Sequence, residues 1–395
     1  MTAQVDHLSA GSAIRAGWLR SPAAFVFGLF LLVRIGLTVW MWAARTLYPD
    51  PLPPDAALRP YLGVTAETNP WLEPWQRWDT LHYQAIAERG YEAFDIALFV
   101  PPLLPWAMRG LAPLVGGNTL LAGILISSAA YLGALFAFLR LAQEETGDRQ
   151  AARRATLYLA FFPTAFFFLA DYTESLFLLA VLLTVWAARR SRWIWAGVWG
   201  GVACLTRLPA LLIVIPLAYA AWDSWRRERR ARAWMAPSIA LTLAMLFPLY
   251  VWLGLGQAPW APFMVQAARF GGGFVLPGAN LLASMRLILS GGAFITDILD
   301  FVFLLAFVVL AVPVWRRLPR LYSVYYLSFL LLYLTRQGGS EPLVGMVRYV
   351  LALFPAFFVL GQAGKRAWVN RLLLYGGWAG LLFMSGGFAI WLWMG

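Results

Sequence analysis

The amino-acid sequence predicts an all-α, polytopic integral membrane protein, and three observations lead to this fold class. Hydrophobic residues make up 61% of the 395 residues and charged residues 13%, whereas globular chains contain about 45–50% and about 25%. Apolar stretches long enough to cross a bilayer recur along the chain. Every second loop between them is rich in arginine, as the positive-inside rule requires. We therefore expect a single membrane domain that covers residues 1–395.

The first predicted span covers residues 23–43, and we expect it to be a retained helix rather than a cleaved signal sequence. It is long enough to cross the bilayer and lacks a small-residue cleavage site before the polar loop that follows. Further spans are predicted at about 118–142, 155–170, 172–188, 193–206, 208–222, 235–255, 294–315, 321–335, 345–363 and 371–393. The expected total is about 11 transmembrane helices.

The long loop at residues 46–116 is predicted to lie on the non-cytoplasmic side. It is net acidic between Thr46 and Asp95, whereas the alternate loops carry the arginine clusters. Its second part, Leu98–Gly116, is apolar but contains prolines that disrupt a regular span. We expect interfacial or re-entrant helices in this loop. The acidic, proline-rich stretch Pro49–Pro60 matches no known motif.

The formal charge of +12 does not indicate a nucleic-acid partner. The basic residues lie in short clusters between apolar spans, where membrane orientation explains them. Cys204 is the only cysteine, so an intrachain disulfide is impossible. The two histidines, His7 and His82, are too few for a His-rich metal cluster. We therefore expect neither redox chemistry nor a structural zinc site, and no cofactor is predicted.

Residues 75–91 of the outer loop are predicted to form a short helix at the membrane surface, from Asp79 to Arg89 with Gly90 as its C-cap. Tryptophan and tyrosine favour the interface between membrane and water, so a membrane anchor is one interpretation of this segment. An idle carboxylate among apolar and aromatic neighbours is unfavourable. Asp79 is therefore a candidate for chemistry.

Residues 161–177 place two carboxylates, Asp171 and Glu174, at a tight turn between two predicted spans. One interpretation is structural, with Asp171, Thr173 or Ser175 capping the following helix. The helix dipole would then favour Glu174 in the first turn. The other interpretation is that the carboxylates take part in binding.

Arg34 lies near the centre of the first span, and Arg207 lies within a long apolar stretch. An intramembrane charge costs about 2.5–3.5 kcal/mol, so each arginine needs a partner or a water-filled cavity. The structural interpretation is a pair with Asp171, Glu174 or a backbone carbonyl group. The functional interpretation is that an arginine binds a phosphate, which the planar guanidinium group suits.

A further polar segment near the end of the chain contains Arg336, Glu341, Arg348 and Tyr349. A surface ion pair between Glu341 and an arginine is one interpretation of it. The alternation of basic loops places this segment on the same face as Asp79 and Glu174. The unusual polar residues are therefore predicted to gather on the non-cytoplasmic face.

Three short motifs extend from the first outer loop to the penultimate predicted helix. They are Trp78-Asp79 with His82-Tyr83, Ile86-Ala87 and Gly90-Tyr91; Tyr172-Thr173-Glu174-Ser175-Leu176-Phe177 followed by Leu205-Thr206-Arg207; and Arg348-Tyr349 with Phe354-Pro355. In this order they resemble the PIG-V family, the second mannosyltransferase of glycosylphosphatidylinositol assembly. The resemblance extends to the bacterial relatives of that family in the GT-C superfamily of membrane glycosyltransferases.

The resemblance implies a glycosyltransferase that moves a sugar, expected to be mannose, from a polyprenyl-phosphate donor to an acceptor hydroxyl on a lipid or glycan. It implies inversion of configuration on the non-cytoplasmic face, with Asp79 as the general base. Arg207, Arg348 and Arg336 are then the candidates that neutralise the leaving phosphate. The compact loops and the arginine-dominated basic residues favour a bacterial plasma membrane.

The other site residues take binding roles under this resemblance. Asp171 and Glu174 hold an arginine or bind sugar hydroxyls, and His82 orients Asp79 or a hydroxyl group rather than binding a metal. Aromatic residues stack on the sugar or line the acceptor groove, and the candidates of this kind are Trp78, Tyr83 and Tyr91. Tyr349 is a further substrate-binding candidate. Metal-dependent relatives present paired acids in this loop, whereas Asp79 has no adjacent acid. The resemblance therefore predicts a metal-independent enzyme.

Two alternatives belong to other classes of protein. In a lipid or solute transporter or flippase, the same arginines would select a phosphate headgroup and Asp79 would gate its passage. In a non-catalytic scaffold, the Trp-rich loop would bind partners and Asp79 would tolerate substitution. The polar residues crowd one face of the membrane, and this favours an enzyme over a transporter.

Overall fold

The computed structural model describes residues 21–48, 62–94, 97–269, 273–339 and 341–394, so Pro49–Pro60 and His7 lie outside the described residues. The chain is almost entirely helical there, which confirms the predicted all-α class. The α-helices are α1 (Pro22–Leu47), α2 (Asp79–Arg89), α3 (Leu103–Leu111), α4 (Thr119–Thr146), α5 (Arg149–Ala160), α6 (Glu174–Arg189), α7 (Trp193–Cys204), α8 (Val214–Glu228), α9 (Met235–Ala244), α10 (Leu246–Leu255), α11 (Ala261–Arg269), α12 (Ala279–Leu289), α13 (Ile295–Arg317), α14 (Arg320–Thr335), α15 (Met346–Tyr349), α16 (Pro355–Ala363) and α17 (Ala367–Ala389).

Short elements complete the described chain. The 3-10 helices are Glu73–Trp75, Ala97–Phe99, Ala112–Val115, Ala165–Phe168, Leu208–Ile213, Ala231–Trp234 and Val350–Ala352. Two strands, β1 (Gly273–Phe274) and β2 (Arg336–Gln337), pair antiparallel with Phe274 opposite Arg336. This small ribbon ties the segment after α11 to the segment that carries Arg336.

Six helical segments of the described chain are long and apolar enough to cross a membrane, and one bent pair would make a seventh. They are Pro22–Leu47, Thr119–Thr146, Leu208–Glu228, Ala231–Leu255, Ile295–Arg317 and Ala367–Ala389. Apolar side chains such as Ile35 and Val309 are 58% and 63% exposed on these helices, which suits contact with lipid. The chain is a multi-pass membrane protein. The count of about 11 spans stays a prediction, since α6 and α14 have only 16 residues each.

Two predicted spans are wrong as continuous helices, and a proline accompanies each break. The predicted span 155–170 ends at Ala160 of α5, because Pro163 lacks the N–H group that would continue the helix. The predicted span 235–255 lies within the apolar segment Ala231–Leu255, in which only Met245 separates α9 from α10. The predicted span 345–363 is divided at Pro355, where the two parts are bent by 89°. These breaks bring non-helical chain into the interior.

The outer loop forms the short helices that its sequence predicts. Helix α2 runs from Asp79 to Arg89, and Gly90, at φ 83°, is its C-cap. Helix α3 has 9 residues, about 14 Å of helix, so it is too short to cross a bilayer. Helix α2 packs against α3 and α4. The loop is therefore folded onto the transmembrane helices.

The buried turn between α5 and α6 forms the centre of the described molecule. Its 3-10 helix Ala165–Phe168 packs against α4, α6 and α17, and Phe166 and Phe167 are fully buried. Helix α16 approaches α5 closely, since a Cβ atom on Gly361 would overlap the backbone of Ala151. Helix α15 packs against α13. These contacts fix the elements that carry the polar site.

Candidate active site

Asp79 is the first residue of α2, and elements distant in sequence hold it in place. Its carboxylate Oδ2 accepts a hydrogen bond from Arg348 Nη1 at 3.0 Å, and its backbone N–H donates to the Tyr172 hydroxyl at 3.1 Å. The Asp79 side chain is 22% exposed. The carboxylate is therefore fixed by an arginine and remains accessible to a substrate.

The backbone before Asp79 is strained and firmly anchored. Trp78 has φ 55°, which is unusual for a residue other than glycine and concentrates at functional sites. The fully buried Arg77 donates from Nε and Nη2 to the Ala389 carbonyl oxygen at 3.0 and 2.8 Å. Arg77 also pairs with Glu73 at 2.6 Å. The outer loop is thereby bound to the end of α17, and these contacts hold the strained turn.

Glu174, the first residue of α6, binds two of the three candidate arginines. Its Oε1 lies 2.6 Å from Arg348 Nε and 3.2 Å from Arg207 Nη2. Glu174 is 3% exposed and Arg348 is 6% exposed, so the charges are buried and compensated by one another. The Glu174 Oε2 atom has no hydrogen-bond partner among the described residues. One arginine therefore joins the two carboxylates, Asp79 and Glu174.

The three candidate arginines surround the ring of Tyr349. The guanidinium carbon atoms of Arg207, Arg336 and Arg348 lie 5.5, 4.7 and 5.9 Å from the ring centroid. Arg348 lies on α15, Arg336 lies on β2, and Arg207 precedes the 3-10 helix Leu208–Ile213. Three separate elements therefore bring their cations to one ring. With Asp79 and Glu174, three positive and two negative side chains leave a formal excess of one positive charge.

A small cleft lies beside this cluster, and we call it the arginine cleft. Its lining residues are Phe168, Glu174, Phe177, Leu178, Arg207, Arg348, Leu351 and Ala352. It combines two guanidinium groups and a carboxylate with apolar walls. Such a surface suits a phosphate that is attached to an apolar chain.

Asp171 does not join the cluster, in contrast to the expectation that it holds an arginine. It is fully buried, and neither carboxylate oxygen has a hydrogen-bond partner among the described residues. The carboxyl group instead packs against Gly123 of α4. Burial raises the pKa of Asp171 well above its usual range, which favours the uncharged form of this carboxyl group. Among the two carboxylates of this turn, Glu174 alone takes the expected role.

The remaining predicted residues of α2 and its end lie at different distances from the cluster. His82 Nδ1 is 4.0 Å from Asp79 Oδ1, which is beyond hydrogen-bond distance. The Tyr83 ring packs edge-on against Tyr172 at 6.0 Å. The Tyr91 hydroxyl donates to the Val100 carbonyl oxygen at 2.8 Å. A substrate contact by Tyr91 stays a prediction.

Arg34 follows its structural interpretation. Its Nη1 donates to the Leu169 carbonyl oxygen at 2.9 Å, and its guanidinium group lies 4.6 Å from the centroid of the Trp75 ring. These contacts compensate an intramembrane charge without a ligand. The expectation of metal independence stays a prediction, and the described residues contain no group of three or more His, Cys, Asp or Glu that could hold a metal ion.

Several positioning residues were missed by sequence reasoning. Tyr172 was quoted within a motif, but nothing in the sequence indicated that its hydroxyl contacts Asp79. Nothing in the sequence indicated that Arg77 anchors the outer loop to Ala389. Trp391 and Trp393 pack against Trp78, with ring centroids 5.9 and 5.4 Å away. The two tryptophans at the end of the chain were the only available signal for that contact.

Comparison with known proteins adds a family match. The family model described as dolichyl-phosphate-mannose-protein mannosyltransferase matches residues 100–252. No curated protein matches the chain. Among solved structures, an oligosaccharyltransferase of Archaeoglobus fulgidus, tethered to an acceptor peptide containing the NVT sequon, is similar with a TM-score of 0.45 and 12% identity.

The similarity to that oligosaccharyltransferase covers 95% of this chain and 56% of the other, so the chain spans little more than half of its length. The family match is to mannosyltransferases, in agreement with the superfamily that the motifs indicate. It does not distinguish the PIG-V family from other branches. The match over residues 100–252 supports a membrane glycosyltransferase of the GT-C superfamily.

Proposed function

We propose that this protein transfers a sugar, expected to be mannose, from a polyprenyl-phosphate donor to an acceptor hydroxyl on the non-cytoplasmic face of the membrane. The observation that carries the proposal is the shared guanidinium group of Arg348. It hydrogen-bonds the carboxylate of Asp79 on one side and that of Glu174 on the other. Arg207 completes the arginine cleft next to it.

The proposed reaction is an inverting displacement at the anomeric carbon. The acceptor oxygen forms a bond to that carbon, and the bond from the carbon to the phosphate oxygen breaks with its electron pair on the phosphate. Asp79 takes the hydroxyl proton as general base. Its Oδ2 accepts from Arg348, so Oδ1 is the oxygen that we assign to the proton.

The arginines act on the leaving group. A phosphate that departs as an anion is stabilised by positive charges already in place, and this stabilisation is large where water is excluded. Arg348 is 6% exposed and Arg207 has 15% of its side chain exposed. Arg336 adds a third positive charge beside Tyr349. A leaving phosphate needs no general acid, so one carboxylate is enough for this chemistry.

The decisive experiment measures transfer of radiolabel from polyprenyl-phosphate mannose into membrane lipids and glycans. Membranes contain the wild type, Asp79→Asn or Glu92→Gln, a control that removes an exposed acid in the same loop. We expect transfer by the wild type and the control and a loss of at least about 100-fold in Asp79→Asn, as removal of a general base produces. Protein amounts are matched by quantitative immunoblotting.

The other outcomes are informative. Equal transfer by the wild type and Asp79→Asn would place the base elsewhere. If the wild type transfers no label across a panel of sugar donors but moves the donor lipid between the leaflets of proteoliposomes, the protein is a flippase. In that case the same arginines would bind the phosphate headgroup without catalysis.

A further inference from the structure

The end of α14 is capped by a segment from an earlier part of the chain. Helix α14 ends at Thr335, and Arg336 is its C-cap. The last four carbonyl groups of a helix have no partner within the helix, and in α14 they belong to residues 333–336. We call residues 273–280, which contain β1 and the start of α12, the capping segment. It donates hydrogen bonds to all four of these carbonyl oxygens.

Two backbone N–H groups of the capping segment bind the middle two carbonyl groups. The N–H of Val275 donates to the carbonyl oxygen of Thr335 at 2.7 Å, and the N–H of Gly278 donates to that of Leu334 at 2.9 Å. Gly278 has φ 85° and directly precedes α12, and this left-handed conformation favours glycine. The chain can therefore turn toward α14 and begin a new helix at the same place.

The side chain of Asn280 binds the first and the last of the four carbonyl groups. It is fully buried, and its amide nitrogen donates to the carbonyl oxygens of Tyr333 at 2.7 Å and Arg336 at 2.6 Å. The amide oxygen accepts the backbone N–H of Leu281 at 2.9 Å, which orients the nitrogen toward α14. Both hydrogen atoms of the amide nitrogen are thereby used to hold the end of α14.

The two residues that Asn280 holds both contact the ring of Tyr349. The Tyr333 ring stacks on it, with centroids 5.9 Å apart and an interplanar angle of 24°. The guanidinium carbon of Arg336 lies 4.7 Å from the Tyr349 centroid, and that of Arg348 approaches the same ring. One buried amide group therefore fixes the backbone of two neighbours of Tyr349, and one of them is a candidate phosphate ligand.

Capping also changes the electrostatic surroundings of Arg336. The carbonyl groups at the C-terminal end of a helix carry partial negative charge, which opposes the binding of an anion beside them. The four hydrogen bonds from the capping segment offset this charge. The capped end of α14 therefore opposes a phosphate less than an uncapped helix end would.

We propose that Asn280 is a positioning residue of the phosphate site. It does not touch the substrate, and it holds Arg336 where the guanidinium group meets the phosphate of the lipid donor. The proposal rests on the part of the proposed function that assigns a lipid phosphate to the arginines. A flippase for the same lipid would need the same positioning, so the role of Asn280 can be tested without the transfer reaction.

The test measures binding of radiolabelled farnesyl phosphate to the purified protein in detergent. Asn280→Ala removes the amide group, and Asn280→Leu replaces it with an apolar group of the same branched shape, so neither variant adds a charge. We expect Arg336→Gln to raise the Kd by about tenfold, as loss of a hydrogen bond to a charged group does. Both Asn280 variants are expected to raise it by at least about threefold, because Arg336 is still present but displaced.

The double variant Asn280→Ala/Arg336→Gln distinguishes positioning from a general loss of structure. If Asn280 acts through Arg336, its removal has no further effect once the guanidinium group is gone, and the Kd stays within about twofold of that of Arg336→Gln. A purely structural role predicts the same fold-change in both backgrounds. The matched control is Ser284→Ala, which is expected to leave the Kd unchanged. Ser284 is buried about one turn later on α12, and its hydroxyl has no hydrogen-bond partner among the described residues.

Label transfer from polyprenyl-phosphate mannose is measured with the same proteins, so that this proposal and the proposed function can fail separately. Absence of transfer by the wild type, together with the expected coupling in Kd, contradicts the transfer reaction and supports the role of Asn280. An unchanged Kd in both Asn280 variants, or equal fold-changes in the two backgrounds, overturns the positioning role alone. Failure of the wild type to bind farnesyl phosphate overturns it as well.

Discussion

At the scale of single residues, the arrangement depends on one buried guanidinium group that serves two carboxylates. Arg348 contacts Asp79 at 3.0 Å and Glu174 at 2.6 Å. Removal of one member of a buried ion pair leaves the other charge without compensation and destabilises a protein by about 3–5 kcal/mol. The same arginine is proposed to stabilise the leaving phosphate. Its structural and catalytic contributions can therefore be separated by experiment.

Arg348→Gln is expected to lower both thermal stability and transfer. The double variant Arg348→Gln/Glu174→Gln removes the positive charge together with the buried negative charge, so we expect it to recover most of the lost stability. Transfer is expected to stay low in both variants, because the phosphate loses a positive partner in each. The melting temperature in detergent and the initial rate of label transfer are the two measurements.

A parallel recovery of stability and transfer in the double variant would overturn the assignment of a catalytic role to Arg348. If transfer recovers in the double variant to the same extent as stability, the arginine acts only to hold Glu174 and Asp79 in place. The variant Arg336→Gln is a useful comparison, since its guanidinium group lies over the same Tyr349 ring. It tests whether any loss of nearby positive charge has the same effect.

Most residues of this cluster could be predicted from the sequence, but the pairing of acids with arginines could not. An intramembrane charge is unfavourable without a partner, so Arg207 stood out as a candidate. The tight turn between two predicted spans indicated Glu174, and the family resemblance indicated Arg348. Which acid pairs with which arginine depends on the turn between α5 and α6. That turn exposes Glu174 to the arginines and buries Asp171 against α4. A sequence pattern contains no information on this distance.

At the scale of elements, close contact between α4 and the turn before α6 depends on a glycine. A Cβ atom on Gly123 would overlap the carboxyl group of Asp171, which is fully buried. Neither partner can move outward, because the turn is packed between α4, α6 and α17. The absence of a side chain at this position therefore permits the approach of the two elements.

Gly123→Ala is expected to destabilise the protein by about 1–3 kcal/mol, as overpacking of a core does. The double variant Gly123→Ala/Asp171→Ala removes the group that the new methyl group meets, and it is expected to be more stable than Gly123→Ala alone. The control is Gly28→Ala on α1, where no atom lies within 4 Å of an added Cβ atom. Melting temperatures of the four proteins in one detergent give the comparison. Equal stability of Gly123→Ala and Gly28→Ala would contradict the packing argument.

The observed ends of the helices show why hydropathy predicted the apolar segments but not whether each segment forms one unbroken helix. Apolar composition alone favours an unbroken span across residues 155–170 and 345–363. Pro163 and Pro355 interrupt the helical hydrogen bonding within these stretches, and the chain turns there while it stays buried. The first turn carries Asp171 and Tyr172, and the second follows Arg348. The interruptions that the hydropathy pattern could not resolve are those that build the candidate site.

At the scale of the whole molecule, the outer loop and the end of the chain are joined around the site. Arg77 binds the carbonyl oxygen of Ala389, and Trp78 packs against Trp391 and Trp393. The alternation of basic loops predicted the face of the outer loop, and no prediction was made for the end of the chain. It could not indicate that they touch, since they are separated by most of the chain. The contact brings the end of the chain next to the turn that carries Asp79.

The candidate active site around Asp79 is predicted to face the non-cytoplasmic side, and cysteine labelling can test that orientation. The chain contains one native cysteine, the buried Cys204, so Cys204→Ala provides a background without thiols. Glu92→Cys lies in the outer loop near α2, and Arg230→Cys lies in the basic loop after α8, and both positions are exposed. We expect a membrane-impermeant maleimide to label Glu92→Cys in intact cells and Arg230→Cys only after permeabilisation, because arginine-rich loops stay in the cytoplasm. Labelling in the reverse order would place Asp79 on the cytoplasmic side. It would contradict the predicted alternation of loops and the proposed face of transfer.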